Sequence, residues 1–330
     1  MSVQASAGKP PLHLGANVFG ISFGLAGLAQ AWSAASMLTR VPTWPGDVLW
    51  ILTAAVWLVT VIGYSANVIA GSRWRTQLMD PVHAPFTALA FVVPMMLGVT
   101  LAGQARGFGE AVFVVALIGT VLIGGWLTGE WIVADMRLEQ WHPGYFLPTT
   151  AGGLIAAAGS ATLGFRSLAY LMFGYGVICW LLLGSILLLR LFVEPALPLA
   201  LLPTVAIDFA PPVVAGNAWF AINGGHLDVV ALLLAGYALL MLLVQVRLIP
   251  AYLRVPFGPG IWAFAFSYAA AFTIAIRWLA AEHVHRQQDW TYVLLAVITA
   301  GIGALLVRTG IGLATDTFLP RLPSEEPAVA

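Results

Sequence analysis

Ionisable side chains are scarce in this 330-residue chain, and one of them stands where chemistry is hard to avoid. Asp208 lies within a long apolar run, two residues ahead of Ala210-Pro-Pro. A carboxylate inside such a run costs several kcal/mol and marks a functional position by default. Three readings are open. Asp208 is protonated or paired with an arginine near a helix end, such as Arg254 or Arg190. Alternatively it faces a cytoplasmic vestibule, only about two turns from the start of its helix. In the third reading it is a proton-coupling carboxylate and the protein a transporter.

The other concentrated feature is aromatic. Pro256-Phe-Gly-Pro-Gly-Ile-Trp-Ala-Phe-Ala-Phe-Ser-Tyr268 opens an apolar helix and puts Trp262, Phe264, Phe266 and Tyr268 within about two turns. Phe264 and Tyr268, at i and i+4, share one side, and Trp262 and Phe266 lie on roughly the opposite one. Phe266 is read as facing a pore, Trp262 as lying a turn nearer the helix start, and the other pair as packing on neighbouring helices.

The remaining polar groups make weaker sites. His283-Val-His285, beside Glu282 and Asp289, is an alternating pair in a polar loop, and no metal site is expected there. His142, His226 and His83 stand at helix ends, where capping is the ordinary role. Gly310-Ile-Gly312 is followed by no Gly-Lys-Ser/Thr and makes no phosphate loop. No nucleophile or convergent acid–base set is present, so neither an enzyme nor a cofactor is expected.

The elements that position these residues follow from composition. Hydrophobic residues make up 60% and charged residues 8%, and mean hydropathy is +0.92. A soluble domain carries about a quarter charged residues. The formal net charge of zero argues against nucleic acid as a partner. Cys179 is the single cysteine, so no disulfide framework is available. The first thirteen residues lack the pattern of a signal peptide. The chain reads as an integral membrane protein with bilayer lipid around it.

Ten segments reach the roughly 20 apolar residues that a span needs. They run roughly over 14–38, 47–71, 84–103, 108–132, 145–162, 167–192, 199–222, 227–247, 257–280 and 289–312. Short connections make successive helices antiparallel neighbours. With the amino terminus inside, the inner side holds Lys9, Arg73, Arg75, Arg137, Arg190, Arg247, Arg254, Arg308 and Arg321. The outer side holds Arg40, Arg106, Arg166, Arg277 and Arg286, so both termini are placed in the cytoplasm. Residues 1–13 are read as a tail, 14–312 as the ten-helix domain, and 313–330 as a second tail ending beyond Glu325 and Glu326.

A weak repeat of helical hairpins runs through the segments. The odd ones carry the prolines: Pro85 and Pro94, Pro143 and Pro148, Pro203, Pro211 and Pro212, Pro256 and Pro259. The even ones are plain runs such as Leu181-Leu-Leu-Gly-Ser-Ile-Leu-Leu-Leu. A proline within a helix frees a carbonyl, which lipid tolerates only beside protein or water. Odd helices therefore form an inner ring and even helices an outer, lipid-facing one. Gly20 and Gly24 form a GxxxG pair, and Gly152, Ala156, Ser160 and Gly164 a small-residue stripe. The stripe serves close packing or leaves room for a pore.

Four blocks carry a resemblance: Trp262-Ala-Phe-Ala-Phe266, His142-Pro-Gly-Tyr-Phe-Leu-Pro148, Tyr170-Leu-Met-Phe-Gly-Tyr-Gly-Val-Ile-Cys-Trp180 and Ile222-Asn-Gly-Gly-His-Leu-Asp228. Over nearly its whole length the chain resembles the family of bacterial tellurite-resistance proteins, plant slow anion channels, and yeast malate and sulfite permeases. The resemblance implies an all-α integral membrane protein in which five tandem helical hairpins surround a central pore. It further implies a homotrimer with one pore per subunit, placed in the bacterial inner membrane. The ninth-helix phenylalanine that blocks the pore corresponds to Phe266. Phe19, Phe86 and Tyr145 or Phe146 would add apolar rings, near kinks at prolines such as Pro94, Pro148 and Pro211. A phenyl ring across an apolar tube excludes water, so an ion meets a barrier without any charged residue. Two functions follow from the resemblance: passive passage of small anions such as chloride or nitrate, or proton-coupled export of dicarboxylate, sulfite or tellurite-type anions. In the first, the carboxylate of Asp208 would repel the cargo, and it departs from the apolar residues of relatives.

Overall fold

The computed structural model describes residues 14–70 and 74–320. The 1–13 tail with Lys9, and Arg73, Arg321, Glu325 and Glu326, lie outside the described residues. Among the described residues the regular structure is entirely helical. Ten helices among the described residues are long and apolar enough to cross a membrane. The first five are Ala16–Leu38, Trp44–Val68, Ala84–Ala102, Arg106–Val133 and Pro143–Leu163. Arg166–Val193, Leu202–Ile222, Val229–Tyr252, Pro259–Ala281 and Gln287–Ala314 complete the set.

The odd spans form a closed inner ring. First packs on third, third on fifth, fifth on seventh, seventh on ninth, and ninth returns to first. Each even span packs on the odd span before it, completing five hairpins. In the most apolar stretch of each helix, 50 to 83% of positions are buried in the odd spans and 17 to 33% in the even ones. Even spans therefore turn residues such as Leu181, Leu182 and Leu189 outward to lipid, where their exposure costs nothing.

The two rings differ at their beginnings as well. Every odd span opens with a 3₁₀ turn: Ala16–Val18, Ala84–Ala88, Pro143–Phe146, Leu202–Phe209 and Pro259–Trp262. These five turns touch one another in the same cyclic order as the helices. Pro85, Pro143, Pro203 and Pro259 stand in the first two positions of four of them. There the missing N–H is no loss, and the fixed φ presets the turn. The prolines singled out as kinks occupy different places. Pro94 is inside an α-helix, Pro148 is in a π turn over Leu147–Ala151, and Pro211 is at the start of Ala210–Ile222. The even spans are not free of proline, since Pro250 lies within the eighth helix.

Small residues set the ring's diameter. A Cβ on Gly24 would stand 2.5 Å from that of Ala265 and 2.9 Å from the Trp262 ring, so only glycine lets the first and ninth spans approach this closely. The stripe on the fifth span serves packing. A Cβ on Gly152 would meet the Thr120 side chain of the fourth span at 2.5 Å, and the stripe ends at Gly164, whose φ of 87° closes the helix in the left-handed region. Beyond the tenth span, Phe318 is buried with its ring 5.7 Å from that of Phe257.

Candidate functional site

The inner ring encloses a cavity lined by all five odd spans and by no even one. Asn17, Gly20 and Phe23 come from the first span, Phe86 and Leu89 from the third, and Phe146, Leu147, Thr150, Ala151 and Leu154 from the fifth. The seventh contributes Ile207, Ala210, Pro211 and Val214, and the ninth Trp262, Phe266 and their neighbours from Pro259 to Ser267. These residues belong to the opening turns of each span, so the cavity lies toward the side on which the odd helices begin. None is ionisable. The polar side chains are those of Asn17, Thr150 and Ser267, and Ser267 spends its hydroxyl on the Ala263 carbonyl at 3.3 Å.

Two rings of the lining meet across the cavity. Phe23 and Phe266 stack with centroids 3.6 Å apart and planes 14° from parallel, and both are buried. Clear space for a water-sized particle amounts to about 30 Å³, room for two or so waters. A narrow apolar passage offers a dehydrated ion nothing to replace its hydration shell.

The aromatic residues expected at a pore divide. Phe86, Phe146, Trp262 and Phe266 line the cavity. Trp262 is anchored by donating from Nε1 to Thr309 of the tenth span at 2.9 Å. Phe264 and Tyr268 stack on each other and turn to the eighth span, Phe264 onto Tyr252 and Tyr268 toward Gln245. Phe19 and Tyr145 lie elsewhere. Phe19 sits about 100° round the helix from Gly20, the middle of the first span's lining stripe, and its ring packs edge-on against Tyr64 of the second span. Tyr145 stacks on Trp141 and donates its hydroxyl to the Pro81 carbonyl at 3.0 Å. Phe23 is the residue that sequence reasoning missed. Its signal was a place three residues after Gly20, on the same face of the GxxxG helix.

Asp208 takes neither a paired nor a vestibular position. It lies in the 3₁₀ turn Leu202–Phe209, is 5% exposed, and belongs to no ion pair among the described residues. Arg190 donates instead to the Glu139 carbonyl at 3.1 Å. Oδ2 of Asp208 has no hydrogen-bond partner. Ile207 and Ala210 line the cavity and Asp208 does not, because at three residues per turn the first two share a face and Asp208 lies about 120° from it. The eighth span packs on this turn, and its Gln245 donates to the carbonyl of Val205, on the same side of the 3₁₀ turn as Asp208, at 3.2 Å. The carboxyl is thus packed behind the seventh span, between the rings.

The wall is braced at the start of the fifth span. His142 is fully buried, accepts from the Gly144 N–H at Nδ1 (3.2 Å) and donates from Nε2 to the Pro81 carbonyl at 3.3 Å. It caps the 3₁₀ turn and ties it to the approach of the third span. Burial pushes the imidazole down to about 4, which keeps it neutral and in the tautomer these two bonds require. The Phe86 ring lies nearly parallel to it, with centroids 6.1 Å apart.

Comparison with known proteins agrees with this architecture. The profile of the voltage-dependent anion channel family matches residues 13–310. The tellurite resistance protein TehA homolog of Haemophilus influenzae is 31% identical over 262 residues, which is 79% of this chain and 80% of that protein. With the match running through all ten spans, this multi-pass membrane protein belongs to the voltage-dependent anion channel family.

Proposed function

We propose that the chain conducts small anions passively, that the central cavity is their path, and that the Phe266 ring, stacked on Phe23, is the gate. The observation that carries this is the closed tube itself: five helices, an apolar wall without an ionisable group, and one aromatic stack across it. A wall without fixed charge lets an anion leave as readily as it enters, as conduction requires. The position of Asp208, behind the seventh span and outside the lining, favours passive flow over proton coupling.

The path is complete within one chain, which suits a homotrimer with one pore per subunit. Arg137, Arg190, Arg254 and Arg308 stand near the ends at which odd spans begin and even spans finish, which suits cytoplasmic termini and a bacterial inner membrane. The cargo class is chloride, nitrate and similar anions. The name of the Haemophilus relative adds tellurite to the set to be offered, with malate and sulfite.

The test is anion current in planar bilayers for the wild type and Phe266→Ala. The expected result is a small wild-type current and a large, voltage-driven current in the variant. Silence in both, with malate or sulfite uptake that follows a proton gradient and is lost in Asp208→Asn, would replace the channel by a carrier.

A further inference from the structure

Hydroxyl groups in helices ordinarily return their proton to the carbonyl one turn back. This chain follows the rule at Thr53, Thr60, Thr120, Thr128, Thr273 and Thr291, each donating to the i−4 carbonyl at 2.7 to 2.9 Å. Thr150 breaks it. Its Oγ1 has no partner, although the residue is only 1% exposed. Thr150 lies in the π turn Leu147–Ala151, whose ladder is wider than that of an α-helix; Ser160, buried and unpartnered in the α-helix that follows, is not in the lining. Thr149, in the same turn, is within reach of the Cys179 thiol of the sixth span and lies outside the cavity lining, with its methyl toward Gly124 of the fourth span. Thr150 is in the lining, in the same closed space as Phe266.

A buried hydroxyl without a partner is expensive unless something visits it. We propose that Thr150 donates a hydrogen bond to the permeating anion and so holds it beneath the Phe23–Phe266 stack; this rests on the reading of the cavity as the anion path. The ligand is a small monovalent anion with an exposed acceptor, chloride, bromide or nitrate. A hydroxyl bonded to an anion is charge-assisted, and the apolar wall strengthens it. It nevertheless lacks the fixed charge that would trap the ion, so the site slows passage without ending it.

The experiment uses the Phe266→Ala channel and reads the chloride concentration for half-maximal current. Loss of one hydrogen bond to a charged group predicts that adding Thr150→Val raises that concentration about tenfold. Thr150→Ser, which keeps the hydroxyl, should return it to within about twofold of its starting value, and Thr149→Val should leave it there. Crystals of Phe266→Ala grown in bromide supply a reading independent of current. An anomalous peak within hydrogen-bond distance of Thr150 Oγ1, absent when Thr150→Val is added, is the expected result. If Phe266→Ala carries no current yet the peak is present, the gate assignment fails and the site stands. Equal half-saturation in the Val and Ser variants, or no peak at Thr150, overturns the site.

Discussion

The stack of Phe23 on Phe266 makes a quantitative prediction about gating. Aromatic pairs contribute about 0.5–1.5 kcal/mol beyond their buried area. The 3.6 Å centroid spacing and 14° tilt are close to a face-to-face sandwich, the less favoured aromatic geometry, so the low end, about 0.5 kcal/mol, is the appropriate value. Phe23→Ala removes this term from the closed state and leaves the Phe266 ring in place. A change of about 0.5 kcal/mol is roughly a twofold change in an equilibrium constant, so open probability should rise about twofold. Phe266→Ala removes the obstruction itself and should raise current far more. Adding Phe23→Ala to it should change little, since the partner is already gone and the two effects share one interaction. Single-channel recording in planar bilayers separates these cases, because Phe23→Ala alters the fraction of time open more than the current per opening. The reasoning is refuted if Phe23→Ala matches the wild type, if it exceeds Phe266→Ala, or if the double variant shows the product of both effects.

Other consequences follow from single residues. Gly24→Ala places a methyl 2.5 Å from the Ala265 Cβ, an overpacking worth about 1–3 kcal/mol; the melting temperature in detergent should fall and leak current rise as the first and ninth spans separate, and an unchanged melt would count against glycine setting the ring's diameter. His142 has its pKa lowered by burial to about 4 against 6.5 for a free imidazole, so the unfolded chain binds one more proton between those values. Stability from this group is complete above about pH 6.5 and is lost as pH falls toward 4, by about 3 kcal/mol at most. Melting curves of the wild type should show this acid-side loss and those of His142→Gln should not; identical slopes would refute it. Asp208→Asn should leave anion current and its pH dependence within about twofold of the wild type, because the carboxyl is outside the lining, and it should not lower the melting temperature, because it removes an unpartnered buried acid. Loss of current in this variant would return Asp208 to the transport path.

Composition and apolar length were enough to place ten spans, because a bilayer demands about twenty apolar residues per helix whatever the partners. The division into rings was legible as well. Prolines such as Pro94 and Pro148 need protein around a broken ladder, while Leu181 to Leu189 needs none. Trp262 and Phe266 were legible as residues on one side of the ninth helix, because i and i+4 share a face in any α-helix. What required the folded chain was the meeting of faces. Phe23 is an unremarked phenylalanine until the Gly20–Gly24 approach brings it onto Phe266 from the far end of the sequence. Phe19 and Tyr145 fell outside the cavity because their faces meet neighbours instead, Tyr64 of the second span for Phe19 and Trp141 and the Pro81 carbonyl for Tyr145. Thr150 and Asp208 show the same limit on one scale smaller. Sequence tells that a hydroxyl or a carboxyl is in the membrane, but the rotation of each residue about its helix decides whether it meets the cavity or the back of the next helix.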